Sequence, residues 1–356
     1  MRRSHFEALA PICPVCRSHD GVHAALAIHE ISNEDDAHIL AGRLRCSRCT
    51  RDYPIIDGIP VILANLRSWI PDHLDAITQR DDLSASAMAL LGEGAGPGSL
   101  FDTRRSHLSS YGWGHWGDLA PAKVPGPGEP GGLVNALNEG LSNVEEPVTG
   151  VIIDSGCALG RSAFELAKRY PDALIVGVDV SFSFLKVAAQ ALRTGMVRYP
   201  VRRVGIVYDD HQFAPPLPGA DRVDFWCADA QAFPFPAATA SLVTSLNVID
   251  CVPSPRAHLE AMRDVLAPGG HAIVATPFDW SPSATSMDEW IGGHAQLSAL
   301  NGRAELAFDA IVGDHPYAID GLTGTGTPAD TDWWVRLHDR STAAYTVRVA
   351  TLRRLA

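Results

Sequence analysis

The stretch VIIDSGCALGRSAFELA (151–167) constrains this chain most. An apolar run breaks at a turn holding Gly156 and Gly160 and resumes as an amphipathic helix. A strand, a glycine-rich turn and a helix in that order form the opening unit of a parallel sheet with crossover helices. The glycines let the backbone approach a nucleotide-like ligand, and the helix N-terminus offers free N–H donors. Asp154 ends the strand, where it can cap the turn, and Cys157 reads as a small packed residue. A turn of this kind also serves dinucleotide enzymes. Here Ala158 stands where GxGxxG requires glycine, so that fingerprint is absent.

The alternation continues along the chain. ALIVGVDV (173–180), VDFWCAD (223–229), SLVTSLNVI (241–249) and HAIVATP (271–277) read as strands. FLKVAAQALR (184–193) and HLEAMRDVLA (258–267) read as helices, the second stopped by Pro268-Gly269-Gly270. DWWVRLHD (332–339) and AYTVRVATLRR (344–354) pair as a C-terminal antiparallel hairpin. The fold class is α/β, a Rossmann-type domain with a seven-stranded, mostly parallel sheet. Asp179 ends the second strand, where a carboxylate accepts the ribose hydroxyls of an adenosine.

Near the N-terminus, CPVC (13–16) and CSRC (46–49) form two knuckles. Cys13, Cys16, Cys46 and Cys49 can present four thiolates tetrahedrally, the geometry zinc prefers. Four cysteines leave no open position, so the expected metal is a structural zinc, compensating for a core too small to fold alone. The division expected is a zinc-ribbon domain (1–64), a helical and irregular connector covering the active site (65–145), and the sheet domain (146–356). Within the connector, SSYGWGHWGDL (109–119) is a glycine-broken aromatic run, and APAKVPGPGEPGG (120–132) is a linker by composition.

Charge and hydropathy narrow the partners. Among 356 residues the net charge is −12, which argues against phosphate-backbone binding and favours a small or peptidic substrate over nucleic acid. No apolar run reaches the ~20 residues that span a bilayer. The N-terminus lacks the apolar h-region of a signal peptide, so a cytoplasmic location without a membrane partner is expected.

Four segments together resemble the class I methyltransferases that use S-adenosylmethionine. They are the 151–167 turn, Asp179, CADAQAFPF (227–235) and the helix–PGG–strand run HLEAMRDVLAPGGHAIVATP (258–277). The resemblance implies S-adenosylmethionine at Asp154, Gly156, Cys157, Gly160 and Asp179, with Asp229, Ala230 and Asn247 completing the cofactor site. RDYPIIDGIPVILA (51–64) resembles the ending of small zinc-ribbon proteins that activate methyltransferases by lending a strand to the partner's sheet.

A narrower resemblance lies in DSGCALGRSAFELA (154–167), LVTSLNVIDCVPSPRAHL (242–259), TPFDWSPSATSMDEWIGG (276–293) and the last twenty residues. These look like the methyltransferase domain that completes ovothiol biosynthesis. That family methylates an imidazole nitrogen of 5-thiohistidine, which implies a histidine-derived small molecule as acceptor. The iron-dependent sulfoxide synthase of that family has no counterpart here; a zinc ribbon precedes the enzyme instead.

The matching positions are Asn247 and Asp250 at the pocket, with Trp280 and Trp290 nearby. Asp250 would accept the imidazole N–H or act as a general base; a solvated strand-end carboxylate is the plainer alternative. Tyr111 and His115 would touch the cofactor or substrate, with His115 a candidate base and simple aromatic packing the alternative. Two other functions remain open at this level: methylation of a peptide, protein or RNA, and a non-catalytic cofactor-binding scaffold. The oligomeric state is not readable.

Overall fold

Strands with both faces covered must be apolar throughout, and strands with one wet face alternate. Both patterns occur in the computed structural model, which describes residues 1–313 and 315–356. The N-terminal part folds as an antiparallel meander of β1 (Leu26–Glu34), β2 (Ile39–Cys46), β3 (Asp52–Ile56) and β4 (Ile59–Ile62). Later strands are β5 (Gly150–Ser155), β6 (Ala173–Asp179), β7 (Val197–Arg202), β8 (Tyr208–Phe213) and β9 (Val223–Ala228). They continue with β10 (Ala240–Leu246), β11 (Leu266–Thr276), β12 (Leu322–His338) and β13 (Ser341–Arg354).

Among the described residues, one sheet takes in every strand except β7 and β8, in the order β1-β2-β3-β4-β9-β6-β5-β10-β11-β13-β12. Its centre is parallel from β4 to β11, and the β12–β13 hairpin closes it antiparallel. This is a Rossmann-like α/β fold with a mixed sheet.

The expected count of seven strands is corrected to eleven. Strands from beyond residue 146 fill seven consecutive places, and the N-terminal meander adds four at the β9 edge. The join is a short parallel ladder, Val61 against Cys227 and Ile62 against Ala228. All six residues of β9 are buried, so its outer backbone groups need a partner that water cannot supply. The helix Arg3–Leu9 reinforces the join. The Arg2 backbone N–H donates to Asp224 Oδ2 at 2.9 Å, and the Trp226 indole donates to the same oxygen at 2.8 Å. These donors, with nearby positive charge, hold the Asp224 carboxyl below its usual range despite burial.

Two local readings need revision. The helix Pro255–Val265 ends before Pro268-Gly269-Gly270, because buried Leu266 already pairs with Ala240 in the sheet. The Pro-Gly-Gly turn is absorbed into β11 as a register slip between the pairs Ala240–Leu266 and Leu242–His271. The aromatic run 109–119 is not broken at its glycines either. Residues Leu100–Trp116 form one helix. The glycines there answer packing: a Cβ on Gly112 would lie 2.3 Å from the Tyr199 ring on β7. Ser109 accepts the Arg202 N–H at 2.8 Å in the same contact, and the β7–β8 ribbon itself carries no period that the sequence reading picked out.

Gly112 yields a prediction in which two effects oppose. In a helix interior, alanine gains about 0.5–1 kcal/mol over glycine. Overpacking against Tyr199 costs about 1–3 kcal/mol. Gly112→Ala is therefore expected to lower stability, read as a reduced midpoint in thermal or denaturant unfolding.

Candidate active site

A cavity of about 590 Å3 opens beyond the carboxyl ends of β5, β6, β9 and β10, with the helix Leu100–Trp116 and the β12–β13 hairpin forming its other walls. Parallel α/β sheets place ligands in this crevice because the strand-end loops diverge there. Gly156, Asp179, Asp229, Ala230, Asn247, Asp250, Tyr111 and His115 all line it.

The remaining expected cofactor residues stand behind the wall. Asp154 is buried and accepts hydrogen bonds from Ser162 Oγ (2.5 Å) and Thr244 Oγ1 (2.7 Å). It thereby fastens β5 to the following helix and to β10, while burial pushes its carboxyl up to about 6. Cys157 is fully buried, and burial also raises its thiol. Gly160 has φ +83°, and a Cβ there would meet the Phe225 ring at 2.6 Å. These three residues shape the turn without lining the cavity. Gly156 does both: its φ is +69°, and a Cβ would strike Val248 at 2.3 Å.

Asp179 is held rigidly. Its Oδ2 accepts the Ala158 N–H at 2.9 Å and its Oδ1 the Ser181 N–H at 2.7 Å. Burial raises its pKa against the pull of those donors. Each oxygen keeps a lone pair for a ligand hydroxyl. On the next strand end, Asp229 Oδ1 accepts the Gln231 N–H at 2.8 Å. The Ala230 carbonyl bonds His258 Nδ1 at 3.1 Å, and His258 Nε2 faces Ser245 Oγ at 2.8 Å. Burial lowers His258 to about 4, so the ring is neutral. Its Nδ1–H then donates to the carbonyl while Nε2 accepts from the serine.

The end of β10 supplies the least satisfied groups. Asn247 sits in the left-handed region at φ +56°, with its N–H donated to the Ala275 carbonyl at 2.8 Å. Its side-chain Oδ1 is buried without a partner, as is Oδ1 of Asp250. Burial, assisted by the nearby Asp279 charge, pushes the Asp250 carboxyl up to about 6. Unpaired acceptors in an enclosed site are costly unless a ligand donor satisfies them.

Tyr111 packs on Phe184 with ring centroids 4.5 Å apart, and its hydroxyl is pushed above the ordinary phenol range by burial and by Cys251, Asp179 and Asp250. His115 is buried, and desolvation together with Arg161 lowers it to about 3. A ring so hard to protonate is a poor proton acceptor, contrary to the base role considered from sequence. Trp280 and Trp290 stack on each other, with centroids 6.1 Å apart, and neither lines the cavity. The lining indoles are Trp333 and Trp334, with Tyr345 directly across the hairpin from Trp333. Sequence reasoning missed these three and Asp279. The adjacent tryptophans on an alternating hairpin were the available signal.

The Cys13, Cys16, Cys46 and Cys49 sulfurs all lie within 4.8 Å of one another. Cys13 and Cys49 are 3.8 Å apart, Cys16 and Cys46 3.7 Å. Tetrahedral Zn–S bonds of ~2.3 Å require sulfurs ~3.8 Å apart. Cys46 Sγ also accepts the N–H groups of Arg48 and Cys49, each at 3.4 Å, which suits a thiolate. The donor set fits a closed zinc site.

Residues 153–274 match the family model described as a methyltransferase domain. That run begins in β5, ends in β11 and carries the strand ends that form the cavity's base. Residues 153–274 form a methyltransferase domain.

Around this domain the chain is 31% identical over 181 residues to a trans-aconitate 2-methyltransferase of Streptomyces avermitilis, covering 50% of this chain and 58% of that protein. A second trans-aconitate 2-methyltransferase, from an Azoarcus species, is 27% identical over 44% of this chain and 51% of its own length. The chain thus spans little more than half the length of these curated relatives. Among solved structures, Haemonchus contortus phosphoethanolamine N-methyltransferase 2 with S-adenosyl-L-methionine superposes with a TM-score of 0.35 at 17% identity, covering 63% of this chain and 39% of that one. That superposition is too loose to bear on mechanism.

Asp250 makes the methyltransferase domain pH-sensitive in a definite direction. Its folded pKa lies above the ordinary value, so the native state holds this proton more tightly than the unfolded chain. The penalty is absent below the unfolded pKa near ~4, grows as pH rises and is complete above about 6. Asp250→Asn is expected to raise the melting temperature at pH 7.5 by an amount equivalent to no more than about 3 kcal/mol. The gain should vanish near pH 4, as melts of both proteins across that range would show.

Proposed function

We propose that this protein transfers a methyl group from S-adenosylmethionine to a ring nitrogen of a histidine-derived small molecule. The observation that carries the acceptor class is that Asn247 and Asp250, which both line a cavity of suitable size, each keep a buried side-chain oxygen that no protein donor satisfies. Both side chains are hydrogen-bond acceptors, which suits an acceptor molecule that presents an N–H. When bound, S-adenosylmethionine supplies a methyl on a positive sulfonium that leaves as a neutral thioether. The Asp179 carboxylate would hold the ribose hydroxyls, and the Gly156 turn would admit the backbone-close part of the cofactor. Asp229 and Ala230 would border the adenine, while Asp154, Cys157 and Gly160 keep the turn in shape.

On the acceptor, Asp250 takes the N–H of one imidazole nitrogen and so turns the lone pair of the other toward the methyl. A carboxyl near 6 can also take that proton at neutral pH once the ring becomes cationic. Alignment of nucleophile and methyl supplies most of the rate in such a site. Tyr111 and the neutral His115 border the reacting region, as do Trp333 and Tyr345.

The lining argues against an acidic acceptor of the kind named for the curated relatives. Asp179, Asp229, Asp250 and Asp279 face the cavity, and among the described residues no lysine or arginine lines it. A polycarboxylate would meet repulsion from four carboxylates, with no lining lysine or arginine and only the single sulfonium charge to offset it. A neutral or positive N–H donor meets none.

The three-part division serves this function: residues 1–64 hold a structural zinc, 65–145 cover the site, and 146–356 carry cofactor and acceptor. No helix among the described residues is long and apolar enough to cross a membrane.

Mass spectrometry after incubation with S-adenosylmethionine and a panel of histidine, 5-thiohistidine, histidine peptides, trans-aconitate and RNA tests the acceptor. One added methyl on an imidazole compound is expected; methylation of trans-aconitate or RNA alone would overturn the assignment. Asp179→Ala should weaken cofactor binding by about tenfold or more in calorimetry while zinc content is retained. Metal analysis should find one zinc per chain, and Cys46→Ser should lose it together with cooperative unfolding of residues 1–64.

A further inference from the structure

We propose that Arg17, in the metal knuckle, is a positioning residue for the loop 229–235, which borders the cofactor; the proposal rests on the methyltransferase reading above. Arg17 follows Cys16 directly, and its guanidinium Nη1 donates to the Phe233 carbonyl at 2.5 Å. One residue before the other cysteine of the knuckle, the Ile12 N–H donates to the Pro234 carbonyl at 2.9 Å. Two consecutive carbonyls of one loop are thus held from either side of a single CxxC pair. The loop's phenylalanines, Phe233 and Phe235, are each 1% exposed and share a core with Cys13 and Cys16.

The other end of this loop carries the cavity residues. Asp229 and Ala230 line the wall. Gln231 connects the loop to the next element, donating through Nε2 to the Ser254 carbonyl at 2.9 Å. The Arg17 guanidinium also feels the negative charge of Asp264 and, less strongly, of Asp229. A fold that needed the N-terminal unit only as an added strand would be served by the β4–β9 ladder. These contacts lie beyond that ladder, on the segment that follows Asp229 and Ala230 and leads from β9 toward β10. Fixing the four sulfurs fixes the backbone of residues 12–17, and through Arg17 and Ile12 fixes where Asp229 and Ala230 stand.

Arg17→Met keeps the aliphatic stem and removes the donor, whereas Arg17→Lys keeps one. With zinc content and melting transition intact, Arg17→Met is expected to weaken S-adenosylhomocysteine binding about fivefold to tenfold in calorimetry. KM for S-adenosylmethionine should rise with kcat nearly unchanged, and amide exchange should accelerate within 229–235. Arg17→Lys should recover most of the affinity. Unchanged affinity and exchange in Arg17→Met would overturn the proposal, as would acceleration spread evenly over the molecule with zinc lost.

The unmodified protein provides a second arm that requires no variant to fold. Coupling between two sites is reciprocal, so saturating S-adenosylhomocysteine should slow exchange at the Ile12 and Arg17 amides as well as in the loop. Protection confined to the cavity would count against the proposal. Failure of the unmodified protein to bind S-adenosylhomocysteine would instead remove the functional reading. The exchange of 229–235 in Arg17→Met would then still decide whether Arg17 holds that loop.

Discussion

Two parallel residue pairs, Val61 with Cys227 and Ile62 with Ala228, carry the architecture. All four residues are buried, and they turn what would be the outer edge of β9 into an interior strand. An edge strand can be apolar on both faces only if something else completes its backbone hydrogen bonds. Here the N-terminal meander completes them, so the metal-type cysteine cluster and the methyltransferase domain share one sheet. The ladder is short, and Asp224 and Arg2 add the hydrogen bonds that keep the two parts in register.

The same construction governs the electrostatics of the cavity. Parallel strands deliver Asp179, Asp229 and Asp250 to one end of the sheet, and Asp279 follows from the end of β11. The two histidines at the site are kept neutral, His258 near 4 by burial and His115 near 3 by burial and the Arg161 charge. Negative charge therefore accumulates with little internal compensation, and the positive sulfonium of the cofactor would meet favourable surroundings. A low-dielectric wall strengthens that preference.

Much of this was legible because strand ends are legible. A carboxylate that closes an apolar run in an alternating α/β chain lands at the cavity, as Asp179 and Asp229 do. Asn247 and Asp250 follow the same logic from the end of β10. What failed depends on tertiary context. Asp154, Cys157 and Gly160 belong to the same motif as Gly156, but the turn faces inward at those positions, and only coordinates separate its two sides. Gly112 looked like a helix breaker because the sequence does not show Tyr199 beside it. Pro268-Gly269-Gly270 looked like a helix stop, yet buried Leu266 had already joined the sheet. The hairpin was found, but it is longer than the two segments suggested, and its register puts Trp333 and Tyr345, rather than Trp280 and Trp290, on the cavity. Strand pairing across more than 160 residues of chain, as between β4 and β9, leaves no local period to read.

A sheet of eleven strands still has two ends, β1 and β12. Each is irregular. The β1 ladder slips register at three places, between Ile28 and Glu30, between Ile31 and Asn33, and between Asn33 and Glu34. The β12 ladder slips between Thr325 and Ala329, a stretch that includes Pro328. Bulges twist an edge away from flat pairing, and the glutamates of β1 and the proline of β12 deny an incoming strand a matching row of donors and acceptors. So long a sheet invites templated growth into fibres. Irregularity at both rims terminates it, and the added N-terminal meander enlarges the sheet without leaving a straighter rim than the one it covers.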